Sequence, residues 1–574
     1  MKKIDMDQLR NEIIGINEVF ETPYGSRAIT YADYTASGKP LKFIENYLLE
    51  LQRFYANSHT EDDITGESMT KLLHESENII KKEVNGEKNC SVIAAGTGST
   101  GAMITFSKII GLYMAPATKK RMLELAKETE YEAALTKFFG TEQLEKAPVV
   151  FIGPFEHHSN ILIWRESIAE VVEIGLDSEG YMDLEELKAR VSDSKYAGRV
   201  KIGSFSAGSN VTGVKLPVYE VARILHQNDA LACFDFAASG PYVEIDMNKD
   251  EESYFDAVYI SPHKFIGGPG SAGLLVVRNE LYDMSLPPTS VGGGTVDYVS
   301  SFGQDYTRNI EEREKAGTPG IIQILKSAMA MQLKGQIGVD FITEVEEDFM
   351  AQFVERFKDN ENVEILGPKD PTKRISIISF MIKYKDSYLH PRYITTLLND
   401  LFGIQSRAGC SCAGPYGHGL LGIDQETSER FRALIQKGIS SIKPGWVRVN
   451  LHYTMSQEII DFLLDAIDFV SKNAHLFLKD YQVDLNGGGW SHLNPVEGNQ
   501  MLDSFGVPES LKLMGRDLPM MEGIDWTAEY KKYLDEAAKM AEALSKDFKE
   551  SFGSYKNEEA QAVNWFYFVN SING

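Results

Sequence analysis

Lys264 sits inside YISPHKFIGGPGSAGLLVV (residues 259–277), directly after an apolar run and just ahead of a glycine-rich stretch. A lysine that ends an apolar strand is partly desolvated, which lowers its pKa and makes its neutral amine a nucleophile toward carbonyls. A lysine alone at a strand end would simply snorkel to solvent, so its neighbours decide the matter. In CFDFAASG, Asp235 ends the preceding apolar run. A carboxylate there suits a protonated heteroaromatic nitrogen, and it suits a turn or helix cap equally well. AAGTGSTGAM (residues 94–103) passes from an apolar run through glycines into a helical pattern. Its backbone N–H groups and the hydroxyls of Ser99 and Thr100 can cradle a phosphate at a helix N-terminus. The stretch lacks both G-x-x-x-x-G-K-[ST] and the full G-x-G-x-x-G spacing, so one phosphate fits it better than a nucleotide.

Taken together, a lysine for a Schiff base, an aspartate for a pyridinium nitrogen and a helix end for one phosphate meet the needs of pyridoxal 5′-phosphate. The remaining reactive residues are few. Four cysteines, Cys90, Cys233, Cys410 and Cys412, in 574 residues do not make a disulfide framework. A reducing, cytoplasmic setting is expected, with chemistry rather than cross-linking as the task of any working thiol. A lone C-x-C lacks further ligands, and His157 and His158, read as neighbours on a strand, would point to opposite faces, so no metal is expected.

These residues need elements to hold them. Between residues 90 and 280 the runs SVIAAG, VVFIGPF, VVEIGL, VKIGSFSA, ALACFDFA, AVYISPH and AGLLVV alternate with helical patterns. Continuous rather than alternating apolarity predicts a mostly parallel seven-stranded sheet covered on both faces, with the site at the strands' C-terminal ends. Residues 112–148 read as a helical insertion with a charged, solvated face. The expected organisation is an N-terminal arm and start of the small domain over 1–75, a large domain over 76–335, a smaller α+β domain over 336–480, and a partly helical extension over 481–574. Within the smaller domain ISIISFMIK, GIQSRAG and VRVNLH read as strands.

Composition narrows the partners. The excess of 83 acidic over 58 basic residues, net charge −25, disfavours nucleic acid and anionic membrane surfaces. No run reaches the roughly 18 apolar residues of a membrane span, and the N-terminal stretch has the pattern of neither a secretory signal nor an anchor.

The order of these motifs resembles the class V aminotransferase family of fold type I pyridoxal-phosphate enzymes, and within it the cysteine desulfurase and selenocysteine lyase branch. The resemblance runs from YADYTASG (31–38) to VRVNLHYT (447–454), and EHHSN, SNVTG, SPHK and RAGCSCAGP carry it most specifically. It implies that Lys264 carries the cofactor, that Ser261, His263 and Thr100 reach its phosphate, that His157 stacks on the ring, that Asp235 pairs with the ring nitrogen, and that Asn210 lies near the ring oxygen and the substrate carboxylate. It further implies a homodimer in which GGGTV (292–296) and KAGTP (315–319) help complete the partner's site, with Thr318 reaching that site's phosphate. Arg448, with Arg407 nearby, corresponds to the arginine that binds the substrate α-carboxylate, for which a planar bidentate guanidinium is suited.

In that branch a thiolate takes sulfur from L-cysteine, leaving alanine and an enzyme persulfide that passes to a thiol or an acceptor protein. Cys412 matches the nucleophile position; Cys410 stands two residues earlier. The chain departs from the pattern at Ala238, where glutamine is usual, and in the longer stretch between Cys412 and Arg448. The alternatives are a β-lyase, epimerase or aminotransferase acting on another amino acid without a cysteine nucleophile, or a scaffold that keeps the fold without turnover. Selenocysteine and other amino acids remain open as substrates.

Overall fold

The computed structural model describes residues 4–58, 60, 62–127, 129–139, 146–496, 506–512, 514 and 523–569. The chain divides into two compact units. The larger is built from Thr35–Glu344 with Lys373–Ile375, and the smaller from Asp5–Tyr34, Val345–Thr372 and the described residues from Ser376 onward. Residues 35–75, read from sequence with the N-terminal arm, thus lie in the larger unit. The helix Ile64–Glu83 turns Met69, Leu73 and Ile80 inward, and Leu73 packs with Ala272 and with Ile324 of the helix Ile321–Ile337.

All seven apolar runs form strands of one sheet in the larger unit. Across the sheet they lie in the order Cys90–Ala94, Leu274–Arg278, Ala257–Ile260, Ala230–Asp235, Lys201–Ser206, Val149–Ile152 and Glu170–Glu173. The last five are mutually parallel, and Leu274–Arg278 runs antiparallel to both of its neighbours. Burial on both faces explains why these runs lack polar alternation. The helices Ser99–Ile109 and His158–Arg165 contribute Met103, Phe106, Ile161 and Trp164 to a core that also holds Val150, Ile202, Tyr259 and Leu275. The insertion forms helices over Pro116–Ala126 and Glu132–Phe139, and the first of them buries only Ala126.

The smaller unit has a six-stranded sheet. Arg407–Gly409, Trp446–Asn450, Ile377–Tyr384, Ser387–Leu389 and Phe566–Tyr567 follow one another, with Val363–Ile365 also paired to Ile377–Tyr384. GIQSRAG, expected as one strand, is two: Ile404–Gln405 pairs with Thr30–Tyr31, and Arg407–Gly409 pairs with Trp446–Arg448.

The described part of 481–574 is integral to this unit. Phe566–Tyr567 adds a parallel strand beside Ser387–Leu389. The helix Trp526–Lys546 buries Tyr530, Tyr533, Ala537 and Ala541, and the Tyr530 ring stacks on Phe462 of the helix Gln457–Phe477 at 3.8 Å. The apolar stripe of this charged helix therefore has a partner in the same unit. Among the described residues no helix is long and apolar enough to cross a membrane.

Candidate active site

The larger unit gathers all but one of its sequence-predicted residues into one cavity of about 440 Å³, within the range of small-molecule sites. Its walls are the Gly96–Gly101 loop with Ser99 and Thr100, His157, Asn210, Asp235, Ala238, Ser261, His263 and Lys264, together with Ser206 and Gly208. Thr318 is not among the lining residues; it is exposed in the loop before the helix Ile321–Ile337.

Each wall follows from a strand end. Asp235 closes its strand and pairs in register with Tyr259, so the strand that leads to Lys264 is its immediate neighbour. Lys264 then lies in the short 3₁₀ turn Pro262–Lys264. Opposite, the helix Ser99–Ile109 begins at Gly98 without a side-chain cap, leaving its first N–H groups to find other partners. One finds Ser261, whose Oγ accepts from the Ser99 N–H at 2.9 Å. The loop tolerates only glycine at its closest points. A Cβ on Gly101 would come within 2.3 Å of the Ala95 carbonyl oxygen, and one on Gly273 within 2.3 Å of the Gly98 carbonyl oxygen.

The electrostatics differ from wall to wall. Burial pushes the Asp235 carboxyl up to about 6, against a backbone hydrogen bond from Ala237 to Oδ1 (2.9 Å) and the Lys264 charge, which both pull it down. Asp235 thus does cap a turn with one oxygen while lining the cavity. Burial, helped by the Lys264 charge, pulls His263 down to about 4, so it is neutral at pH 7 and offers hydrogen bonding rather than charge. His157 caps the helix His158–Arg165, and its Nδ1 accepts from the Ser159 N–H at 3.2 Å. In the neutral ring this places the proton on Nε2. The pair His157–His158 therefore stands at a helix start, not on a strand as expected. No cluster of three or more metal-ligating side chains occurs among the described residues.

A phosphorylated pyridine aldehyde suits this lining. It would find N–H groups and hydroxyls of a glycine-backed helix start, a buried carboxylate and an amine, all in one cavity.

Glu156, adjacent to His157, was not singled out by the sequence. It is buried, and its two oxygens accept from the Gly153 N–H (3.1 Å), the Ser206 N–H (2.8 Å), Ser206 Oγ (2.6 Å) and Asn160 Nδ2 (2.6 Å). Burial raises its carboxyl to about 7, and the Asp235 charge adds to the rise. This one side chain ties two strand ends to the helix that presents His157. Glu156→Ala strands several buried donors and is expected to lower the unfolding free energy by about 1–3 kcal/mol, measured by urea denaturation. Its only sequence signal was an acidic residue directly before the histidines.

In the smaller unit Arg407 and Arg448 are cross-strand partners, an arrangement of like charges that needs a counter-ion. Asp33 supplies it: Arg407 Nε donates to Oδ2 at 2.9 Å, and Arg448 Nη2 donates to Oδ1 at 3.0 Å. Arg448 is 4% exposed, which makes that pairing more than a surface contact. The strand Arg407–Gly409 then delivers the chain into Cys410–Ala413, a turn closed by the Ala413 N–H donating to the Cys410 carbonyl at 3.0 Å. Both central residues are left-handed, Ser411 at φ 50° and Cys412 at φ 56°. That is a type I′ turn built without glycine, and each such residue costs about 1–2 kcal/mol. Cys412 is exposed and Cys410 partly so, whereas Cys90 and Cys233 are buried.

The architecture is that of a fold type I pyridoxal-phosphate enzyme. Residues 129–463 match the family described as Aminotransferase class-V, and the chain belongs to that family. Within it the similarity is to cysteine desulfurases. A probable cysteine desulfurase of Halalkalibacterium halodurans is 29% identical over 281 residues, 48% of this chain and 64% of that protein's own length. One of Staphylococcus aureus is 24% identical over 415 residues, 71% of this chain and 88% of the other. Among solved structures, the apo cysteine desulfurase of Thermococcus onnurineus superposes with a TM-score of 0.63 at 22% identity, covering 82% of this chain and all of that one. The Escherichia coli cysteine desulfurase CsdA gives 0.60 at 17%, covering 81% and 98%.

Proposed function

We propose that the protein is a pyridoxal-phosphate-dependent cysteine desulfurase, converting L-cysteine to alanine and leaving the sulfur as a persulfide on Cys412. The observation that carries this reading is the meeting of Lys264, Asp235 and the glycine-backed start of the Ser99–Ile109 helix in one cavity of a class V chain. Pyridoxal phosphate, when bound, supplies an electron sink for the bond broken at the substrate's α-carbon.

The chain's own residues supply the rest. Ser99, Thr100, Ser261 and the neutral His263 bind the phosphate through hydrogen bonds, with the helix start adding a favourable partial charge. With the cofactor bound, His157 would pack against its ring, Asp235 would hold positive charge at the ring nitrogen, and Asn210 would orient the ring oxygen side. Lys264 would carry the cofactor, and its Nζ, when free, would take the α-proton of the substrate. Arg448 and Arg407 bind the substrate carboxylate. Two guanidinium groups set against the one carboxylate of Asp33 leave a surplus positive charge within that trio, which supports an anionic ligand there. The thiolate of Cys412, exposed on its turn, attacks the substrate sulfur. A homodimer with Thr318 serving the partner's site, and a sulfur-accepting protein, belong to the same reading.

The test is to load the chain with pyridoxal phosphate, add L-cysteine, and measure alanine together with the intact mass of the protein. Alanine, together with sulfur that is either gained by the protein or released as sulfide, supports the reading; pyruvate with ammonia overturns it in favour of a lyase. Cys412→Ser is expected to bind the cofactor unchanged and to lose sulfur gain entirely, read by the cofactor's visible absorbance and by mass spectrometry.

A further inference from the structure

We propose that Cys410 is a resolving thiol for Cys412, so that a sulfur placed on Cys412 can leave as sulfide while the two cysteines join in a disulfide. The inference rests on the proposed function for the origin of the persulfide, and on the turn for its geometry.

Three observations carry it. First, the two thiols stand at the first and third positions of one closed turn, Cys410–Ala413. An extended chain separates Cα atoms two residues apart by roughly 6.6–7.2 Å. A tight turn shortens that span into the range of about 4.4–6.8 Å that disulfides bridge. Second, the turn adopts left-handed backbone at Ser411 and Cys412, where glycine or asparagine would relieve the strain. Strain held at non-glycine residues marks a conformation that the surroundings maintain. Those surroundings are visible. The strand Arg407–Gly409 is clamped against Trp446–Arg448, and Gly445 approaches Gly409 so closely that a Cβ on it would come within 2.8 Å of the Gly409 backbone. On the other side Gly417 of the helix Gly414–Leu420 would place a Cβ 2.6 Å from the Trp446 ring. Third, both thiols are reachable, Cys412 exposed and Cys410 partly exposed, whereas the other two cysteines are buried. The pair therefore has access to thiol reagents that the rest of the chain's sulfur lacks.

The step balances. The Cys410 thiolate attacks Cys412 Sγ of the persulfide, forming the Cys410–Cys412 bond as the bond from Cys412 Sγ to the terminal sulfur breaks. Hydrosulfide leaves with that electron pair, and the proton lost by Cys410 ends in solvent or on the departing sulfide. The outer sulfur is reduced to sulfide, and the two cysteines are oxidised. A dithiol reductant returns the pair to thiols for the next cycle. Sulfur would then have two exits, transfer to an acceptor or release as sulfide, with Cys410 choosing between them.

The full-length chain is treated with one equivalent of dithionitrobenzoate, an aromatic disulfide that needs neither cofactor nor turnover. Attack by Cys412 gives a mixed disulfide, and resolution by Cys410 expels the second aromatic thiol. The expected result is twice the thionitrobenzoate released by Cys410→Ser, no adduct left on the wild-type chain, and a monomeric peptide linking residues 410 and 412. An adduct retained on wild type as in Cys410→Ser, or a disulfide between two chains on a non-reducing gel, overturns the proposal. In parallel, the cofactor-loaded chains receive one equivalent of L-cysteine and no other thiol, so that little free thiol is left to reduce the products. Wild type is expected to release sulfide and lose two hydrogens in mass, and Cys410→Ser to keep one extra sulfur. A wild type that keeps that sulfur as Cys410→Ser does overturns the proposal. If neither chain takes up sulfur, the desulfurase reading fails, while the aromatic disulfide still decides whether Cys410 resolves Cys412.

Discussion

Lys264→Ala is expected to abolish covalent capture of the cofactor and to slow alanine formation from L-cysteine by roughly 10²–10⁴-fold through loss of proton transfer alone. Lys264 lines the same cavity as Asp235 and is partly buried, a position that suits the two tasks the proposed function gives its amine. Borohydride reduction should fix the cofactor to the wild-type peptide containing residue 264 and to no peptide of the variant. The substitution also has an electrostatic signature. The Lys264 charge holds the Asp235 carboxyl down, so removing it should move the titration of Asp235 upward from about 6. A variant that retained the reducible linkage would place the cofactor on another lysine and overturn the assignment.

The second large effect concerns Asp235 itself, and its sign is opposite for stability and for binding. Burial raises this carboxyl from 3.8 to about 6 in the folded protein. A raised carboxyl contributes stability that is fully present below pH 3.8 and lost as pH rises through about 6. At pH 7–8 the cofactor-free wild type is then destabilised by up to about 3 kcal/mol relative to a neutral group of the same shape. Asp235→Asn keeps an oxygen to accept from the Ala237 N–H and carries no charge. Its cofactor-free form should therefore unfold at higher denaturant than wild type at pH 7–8, with the gap closing toward pH 4. The same variant should bind pyridoxal phosphate about 10–100-fold more weakly, through loss of a charge-assisted hydrogen bond of about 1.5–3 kcal/mol. Denaturant titrations across pH and a cofactor titration followed by absorbance measure the two halves. A variant less stable than wild type at pH 8 would show that Asp235 is held by partners that favour its charge.

The two residues of these predictions were legible because each ends an apolar run, and a buried parallel strand has to be written as such a run. All seven strands of the large sheet were readable for the same reason. Glu156 was not, because its importance lies in the convergence of Gly153, Asn160 and Ser206, positions spread over 54 residues of sequence that only the sheet brings together. Asp33 escaped for the same reason on a longer scale, as its partners Arg407 and Arg448 follow it by 374 and 415 residues. The strand Phe566–Tyr567 is too short to announce itself by alternation, and its edge partner lies far upstream. The turn at Cys410–Ala413 was hidden by its own chemistry. Left-handed pairs are normally signalled by glycine or asparagine, and Ser411 and Cys412 give no such signal.

The discontinuity of the smaller unit sets an order of assembly during biosynthesis. The stretch Thr35–Glu344 is nearly continuous and can condense as soon as it is made, but Asp33 must wait for Arg448. At about 5–20 residues per second that wait is roughly 20–80 s. For most of it the strand Thr30–Tyr31 lacks its partner Ile404–Gln405, which is made 374 residues later. The arginine pair therefore closes on Asp33 only after all of Thr35–Glu344 has been made.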